Sequence, residues 1–315
     1  MARVNTAWDQ VSGNVFKTWL IMFLFSLFAV GVIYVLGQGF GYGQTGGLGL
    51  MGMALILAGV MNFASYFWSD KIVLGISGAK PIEKKDNPEV YRLVENLCIA
   101  AGLPAPKIYV IEDTATNAFA TGRDPKHAAI CFTSGILDKL NKQELEGVTA
   151  HELSHVGNRD TLLMSVVSVL VGTIALLSDW FMRSMWFGGR DRDREGNNTI
   201  MLIIAIVAAI LAPIVATLIQ LAVSRRRELL ADASGVLLTR YPEGLINALL
   251  KISSDKEALE AANRGTAHLY IVNPLKGKDA AGWLVGLFNT HPAIDVRVKA
   301  LREMEGLPTS RQGNV

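Results

Sequence analysis

Long apolar segments constrain the fold of this chain more than any other feature of its sequence. Residues 18–36, 48–68 and 200–223 carry no charged side chain, and residues 161–182 carry one acid, Asp179. Each segment is about long enough to cross roughly 30 Å of hydrocarbon as an α-helix. Only helices and closed barrels satisfy their backbone hydrogen bonds in lipid. The sequence therefore predicts four transmembrane helices arranged as two hairpins.

The charges that flank the apolar segments predict an orientation. Basic residues lie on both sides of the first hairpin, namely Arg3, Lys17, Lys71, Lys80, Lys84 and Lys85, and the glycine-rich connector 37–44 has none. Because basic residues accumulate on the cytoplasmic side, both ends of this hairpin are expected there. The connector 183–198 of the second hairpin is also rich in arginine. Either the charges of the other loops outweigh these arginines, or the second hairpin lies in a groove without fully crossing the membrane. We favour a full crossing.

The overall composition is that of a membrane protein. Of the 315 residues, 50% are hydrophobic and 18% are charged, with a mean hydropathy of +0.31. The net charge of +2 gives no basis for a nucleic-acid partner. The first apolar run is too long for a cleavable signal and is expected to remain as an anchor. Cys98 and Cys131 are expected to be buried free thiols in a reducing compartment, and neither is expected to bind metal.

The segments between the hairpins have the composition of a soluble domain. A helix is predicted to begin at Asp86 and end at Gly102, followed by a strand at 107–111 and a β-hairpin over 117–133. We predict an α+β, mainly α, protein in four parts. These are a transmembrane hairpin (1–70), a first soluble part (71–160), a second hairpin (161–223) and a second soluble part (224–315) with short helices near 242–253 and 292–305.

The motif His-Glu-Leu-Ser-His at 151–155 indicates the chemistry. Asn141 and Glu144 form a capping box that starts its helix, which is expected to run on into the third apolar span. Residues four apart share a helix face, so His151 and His155 can hold one metal ion while Glu152 reaches a water molecule beside it. Two ordinary surface histidines are the weaker interpretation. The motif predicts a zinc peptidase.

A third ligand is needed, because catalytic zinc sites use three protein ligands. Glu228 follows the fourth span as closely as His155 precedes the third, and an antiparallel pair of spans brings the two level. Asp232 lies one turn further, where it can accept a proton from the far nitrogen of a ligand histidine. The alternative for Glu228 is charge compensation of the preceding arginines, Arg225, Arg226 and Arg227.

Glu152 is then expected to act as general base. A developing oxyanion needs a donor besides the metal. His291, directly before Pro292 at a predicted helix start, is one candidate, and His268 and His127 are the alternatives. A plain helix-capping role for His291 fits the sequence equally well.

Taken together, these motifs resemble the HtpX-type membrane zinc peptidases, relatives of the CAAX prenyl endopeptidases and the Oma-type mitochondrial proteases. The resemblance covers nearly the whole chain. It implies a gluzincin-type metallopeptidase domain in which one zinc ion is held by His151, His155 and Glu228, with Glu152 as the base.

The resemblance also assigns residues outside the zinc motif. It implies that Asn117, Ala118, Phe119 and Ala120 form an edge strand that pairs with substrate backbone. From the residues alone, Asn117 can equally be a turn residue. His291 and Arg297 match the family's His-Pro-x4-Arg pattern, in which Arg297 is a partner for Asp232.

The resemblance implies cleavage of misfolded or damaged membrane proteins during stress. The protein is expected to be a multi-pass protein of the bacterial inner membrane with its catalytic domain and both termini in the cytoplasm. Its expected partners are the bilayer, unfolded polypeptides and other quality-control proteases, and self-cleavage is expected during purification. One alternative is a processing peptidase for a single prenylated or otherwise modified substrate. Another is a non-enzymatic scaffold with a structural zinc, although no cysteine or additional histidine lies near the motif.

Overall fold

The described part of the chain is mainly helical and includes a small mixed sheet. The computed structural model describes residues 7–39, 43–188, 225–261, 266–272, 274 and 292–304. The helices are α1 (Ala7–Gly39), α2 (Gly43–Ile76), α3 (Pro88–Ala101), α4 (Ser134–Lys139), α5 (Lys142–Gly157), α6 (Asp160–Gly188), α7 (Arg225–Thr239), α8 (Pro242–Ser254) and α9 (Ile294–Met304). The strands are β1 (Lys80–Pro81), β2 (Lys107–Ile111), β3 (Ala118–Thr121) and β4 (Ala129–Thr133), with 3₁₀ turns at Pro125–His127 and Ala267–Leu269.

Two of the described helices are long and apolar enough to cross a membrane. Their apolar windows are Val11–Tyr34 in α1 and Gly49–Ile76 in α2. Both helices expose large apolar side chains, including Phe23 and Ile56, which favours lipid over water as their surroundings. Both are longer than predicted, because the flanking segments contain no proline that would end them.

Helix α6 packs against this hairpin through a shared apolar core. Ile21 and Phe25 of α1 belong to the same buried cluster as Leu163, Val167 and Leu170 of α6. The predicted connector beginning at residue 183 starts too early, since α6 continues to Gly188. The sequence offers no glycine or proline between residues 173 and 187 that would break the helix. The predicted fourth span, 200–223, lies outside the described residues.

The prediction that the His-Glu-Leu-Ser-His helix runs on into the third span is wrong. Helix α5 ends at Gly157, and α6 starts at Asp160 as a separate helix. Between them Arg159 has a φ of 60°, a left-handed conformation that a right-handed helix cannot contain. This break turns the first residue of α6 back towards α5.

The sheet has the strand order β1-β2-β4-β3. Strands β2 and β4 are parallel, whereas β3 and β4 form the antiparallel hairpin that the sequence predicts. Strand β3 is the last strand of the sheet and lies beside α5. The two-residue strand β1 was not predicted, because it is too short to carry an alternating pattern.

Local capping side chains set the helix boundaries in the soluble part. The predicted capping box is confirmed, because Asn141 accepts from the Glu144 N–H at 3.0 Å and Glu144 accepts from the Asn141 N–H at 2.8 Å. Gly102 ends α3 in a left-handed conformation, as predicted. The N-cap of α3 is Asn87 rather than Asp86, whose carboxylate instead accepts from the Glu83 N–H.

Helix α5 is buried between α7, α8, α3 and β3. Helix α7 approaches it closely at Gly235, where a Cβ would lie 3.0 Å from the His151 backbone nitrogen. On another side, a Cβ on Gly147 would lie 2.6 Å from the backbone nitrogen of Leu245. The small residues therefore let α7 and α8 pack against the backbone of the motif helix.

Candidate metal centre

Three potential metal donors converge between α5 and α7. His151 and His155 lie one turn apart on α5, and Glu228 lies in the first turn of α7. The two Nε2 atoms are 3.2 Å apart, and the Glu228 carboxylate oxygens lie 3.7 Å from His151 Nε2 and 3.4 Å from His155 Nε2. All three residues are at most 4% exposed. The structure thus brings together the three residues that the sequence nominated as ligands.

The arrangement fits a zinc ion. Bonds of about 2.0–2.2 Å in tetrahedral geometry place neighbouring donor atoms roughly 3.3–3.5 Å apart, close to the distances between these donors. Each histidine also has its Nδ1 engaged by a carboxylate, at 2.9 Å for His151 and 3.0 Å for His155. A donated Nδ1–H leaves the Nε2 lone pair available as a ligand.

Asp232 and Arg297 orient His151. The Asp232 carboxylate contacts His151 Nδ1 and accepts two hydrogen bonds from the fully buried Arg297 guanidinium, at 2.8 and 2.6 Å. Burial alone would raise the pKa of Asp232, but the charge and hydrogen bonds of Arg297 lower it to about 2. Burial and the same guanidinium lower the pKa of His151. Both effects favour a charged carboxylate beside a neutral ring.

Asp160 contacts the Nδ1 of His155 as Asp232 contacts that of His151. Sequence reasoning did not identify Asp160. Its Oδ2 lies 3.0 Å from His155 Nδ1. Burial favours the neutral ring, but the charge of Glu228 and the Asp160 hydrogen bond raise the pKa of His155 to about 9. The only sign of this role in the sequence is an acid five residues after the second histidine. That spacing brings Asp160 to His155 only because the helix breaks at Arg159.

Glu152 lies beside the three donors and is buried. Burial raises the pKa of its carboxyl to about 7, while the charge of His155 and the backbone N–H of Ala120 favour the ionised form. A divalent cation in the centre would favour that form further. Glu152 therefore has the pKa range and the location of a proton carrier.

The four predicted substrate-binding residues lie on or beside the edge strand. Asn117, Ala118, Phe119 and Ala120 are all buried. The Ala118 carbonyl accepts from the Ile271 N–H at 3.0 Å, and the Asn117 side chain donates to the Val272 carbonyl at 3.0 Å. Arg297 in turn donates to the Ile271 carbonyl at 3.1 Å. Residues 271–272 thus run along the outer side of β3.

The candidate oxyanion donors lie in different places. His127 is half exposed on the β3–β4 turn, with its Nδ1 2.8 Å from Asp124. His268 is buried against α6, its Nε2 3.2 Å from Ser168 Oγ and 3.3 Å from the Met164 carbonyl. His291 lies outside the described residues. The turn at Asp124 therefore accounts for His127 without a catalytic role.

The two cysteines are buried free thiols in apolar surroundings, as predicted. Burial raises the pKa of Cys98 to about 11, and it raises that of Cys131 still further. Their environments disfavour the thiolate form that binds metals.

Comparison with known proteins identifies the family. The model of peptidase family M48 matches residues 84–305. The chain belongs to peptidase family M48. "Protease HtpX homolog" from Dictyoglomus thermophilum is 45% identical over 299 residues, covering 95% of each chain. The protein of the same name from Pyrococcus furiosus is 44% identical over 290 residues, covering 91% of this chain and 95% of the relative.

A structural comparison finds a weaker likeness. The crystal structure of S. mikatae Ste24p aligns with a TM-score of 0.46 and 21% identity, over 90% of this chain and 66% of that chain. A likeness at that level has no bearing on the assignment. Family membership confirms the resemblance seen in the sequence, and this M48 protein is a membrane metalloprotease. The family implies a metal, typically zinc.

Proposed function

We propose that His151, His155 and Glu228 hold one catalytic zinc ion per chain. The observation that carries this proposal is the convergence of three buried donors beside a buried glutamate. A zinc ion held there supplies a Lewis acid that polarises a carbonyl and lowers the pKa of water. Asp232 and Asp160 keep the two imidazoles in the tautomer that binds metal.

Glu152 is the general base in this proposal. Its carboxylate takes a proton from the attacking water and returns it to the leaving amine nitrogen, so the side chain ends the cycle as it began. Burial raises the pKa of the Glu152 carboxyl, so it accepts the water proton more readily than an exposed carboxylate does. His291 remains our candidate for a donor to the developing oxyanion.

Strand β3 receives the substrate backbone in this proposal. Its position at the sheet edge, beside Glu152, supports pairing of an extended peptide with Asn117–Ala120. Backbone pairing depends little on the side chains of the substrate, which suits a protease with many substrates. Because the Ile271 N–H bonds the Ala118 carbonyl, a peptide that pairs at that carbonyl must displace Ile271.

The substrates that we propose are misfolded or damaged membrane proteins. Asp160 is both the first residue of the apolar helix α6 and the partner of His155, which supports a centre at the membrane edge. We further propose that the protein crosses the bacterial inner membrane four times, as two hairpins. Its catalytic domain, formed by two parts of the sequence, lies in the cytoplasm. There it cooperates with other quality-control proteases.

The test replaces the base without touching a ligand. Glu152→Gln in the full-length purified protein is expected to retain zinc and to lose cleavage of an unfolded membrane protein and of itself by at least about 100-fold. Glu146→Gln, the same change on a half-buried position of α5, is the matched control and should retain activity. Equal cleavage by Glu152→Gln and wild type would rule out the base assignment.

A second measurement separates the proposed substrate class from a dedicated processing role. The wild-type protein is offered several unrelated unfolded membrane segments and a prenylated peptide at equal concentration. Cleavage of most segments at similar kcat/KM supports quality control. Cleavage confined to the prenylated peptide would instead support a processing peptidase.

A further inference from the structure

A buried side chain of the first membrane helix contacts the carboxylate that holds His155. Asn14 of α1 is 3% exposed. Its Nδ2 donates to Asp160 Oδ1 at 2.7 Å and to the Asn158 carbonyl at 2.9 Å, while its Oδ1 accepts from Arg227 at 3.1 Å. Both amide hydrogens and the amide oxygen are therefore engaged, and the side chain has one orientation.

Asp160 passes this constraint to a metal ligand. One of its oxygens accepts from Asn14 and lies 3.4 Å from Arg227, and the other lies 3.0 Å from His155 Nδ1. A carboxylate held at one oxygen presents the other in a fixed direction. The His155 Nδ1–H then points to Asp160, and its Nε2 faces His151 and Glu228.

We propose that Asn14 is a positioning residue of the metal centre, through which the first membrane helix orients His155 by way of Asp160. The inference rests on the ligand set of the proposed function. It assigns the N-terminal hairpin a part in metal binding as well as in anchoring. The contact with Arg227 strengthens the link, because Arg227 directly precedes the ligand Glu228.

Asn62 makes ordinary polar contacts between the two membrane helices. This half-buried residue of α2 donates to the Met22 carbonyl at 3.0 Å and to Ser26 Oγ at 2.7 Å, both on α1. Both acceptors are neutral groups within the hairpin. Asn14 instead contacts two charged side chains, Asp160 beside His155 and Arg227 next to Glu228. Asn62 therefore provides a matched control.

The experiment uses the full chain in lipid nanodiscs. Zinc affinity is measured by competition with a chelator, and ligand geometry by the visible spectrum of the cobalt(II)-substituted protein. Asn14→Leu removes every hydrogen bond at similar size, and it is expected to weaken zinc binding about tenfold, at the lower end for loss of an outer partner, and to alter the cobalt spectrum. Asn62→Leu is expected to match wild type in both.

A second variant guards against misfolding of the first. Asn14→Asp keeps the size and the acceptor for Arg227 but turns a carboxylate towards Asp160, so it is also expected to weaken zinc binding. If Asn14→Leu does not fold, Asn14→Asp decides the question. The proposal is overturned if any folded Asn14 variant has the zinc affinity and the cobalt spectrum of wild type. It is also overturned if Asn62→Leu loses as much zinc affinity as the Asn14 variants.

The ligand set is tested alongside and independently. His155→Ala and Glu228→Ala are expected to abolish tight zinc binding. If both retain it, the proposed ligand set fails. If both lose it while the folded Asn14 variants behave as wild type, the ligand set stands and only the role of Asn14 is refuted.

Discussion

Two carboxylates that are not themselves proposed ligands determine how the histidines are presented. Asp232 and Asp160 each take up one Nδ1, and each is in turn fixed by an arginine, Arg297 or Arg227. Such outer partners set the tautomer and the basicity of a ligand ring. The buried charges are tolerable only because they are paired, since a lone buried ion is strongly disfavoured.

This dependence gives a prediction for the buried Asp232–Arg297 pair. Asp232→Ala leaves the fully buried guanidinium without its main partner and is expected to cost about 3–5 kcal/mol. The double variant Asp232→Ala with Arg297→Met removes both charges and is expected to cost less than the single variant. Thermal unfolding of the zinc-free proteins measures both. A double variant less stable than the single one would contradict this account.

At the scale of helices, the centre exists because α7 lies close against α5. Gly235 provides the close approach, since its Cα faces the backbone of Ala150 and His151. The same contact sets Asp232, one turn earlier on α7, and Glu228, two turns earlier, at the level of the histidines. A side chain at position 235 therefore requires the neighbouring backbone of α5 to give way.

We therefore predict that Gly235→Ala weakens the metal centre. The added Cβ would lie 3.0 Å from the His151 backbone nitrogen, and overpacking of this kind costs about 1–3 kcal/mol. Zinc affinity and the unfolding midpoint should both fall. Gly172→Ala in α6 is the control, because its Cβ meets nothing within 4 Å. If the two variants bind zinc equally well, the close helix contact does not set the ligand geometry.

The sequence predicted those elements whose signals are local. The capping box at Asn141, the C-cap at Gly102 and the β3–β4 hairpin all depend on residues a few positions apart. The break at Arg159 was missed, because arginine carries no preference for a positive φ. Asn14 was missed because its partner Asp160 is 146 residues away, and no periodic pattern marks a single buried polar residue.

At the scale of the whole molecule, the membrane helices and the metal centre form one packed unit. Helices α1 and α2 pack against α6 through an apolar core, and α6 begins at the carboxylate that holds His155. The proposed cytoplasmic position of the centre follows from the basic residues on both sides of the first hairpin.

That orientation predicts the outcome of reporter fusions. Alkaline phosphatase inserted between Gly39 and Gly43 should be active, because the connector is expected outside the cytoplasm. Green fluorescent protein fused after Val315 should fluoresce, because the C-terminus is expected inside. The reverse pattern would invert the topology and place the protease on the opposite side of the membrane.

The most direct test of the account is X-ray absorption at the zinc edge of the full-length protein. We predict one zinc per chain, bound by nitrogen and oxygen atoms at about 2.0–2.2 Å, with the scattering signature of two imidazoles. His151→Ala and Glu228→Ala should lose that zinc. A sulfur neighbour at about 2.3 Å, or an unchanged spectrum in either variant, would contradict a centre built from His151, His155 and Glu228.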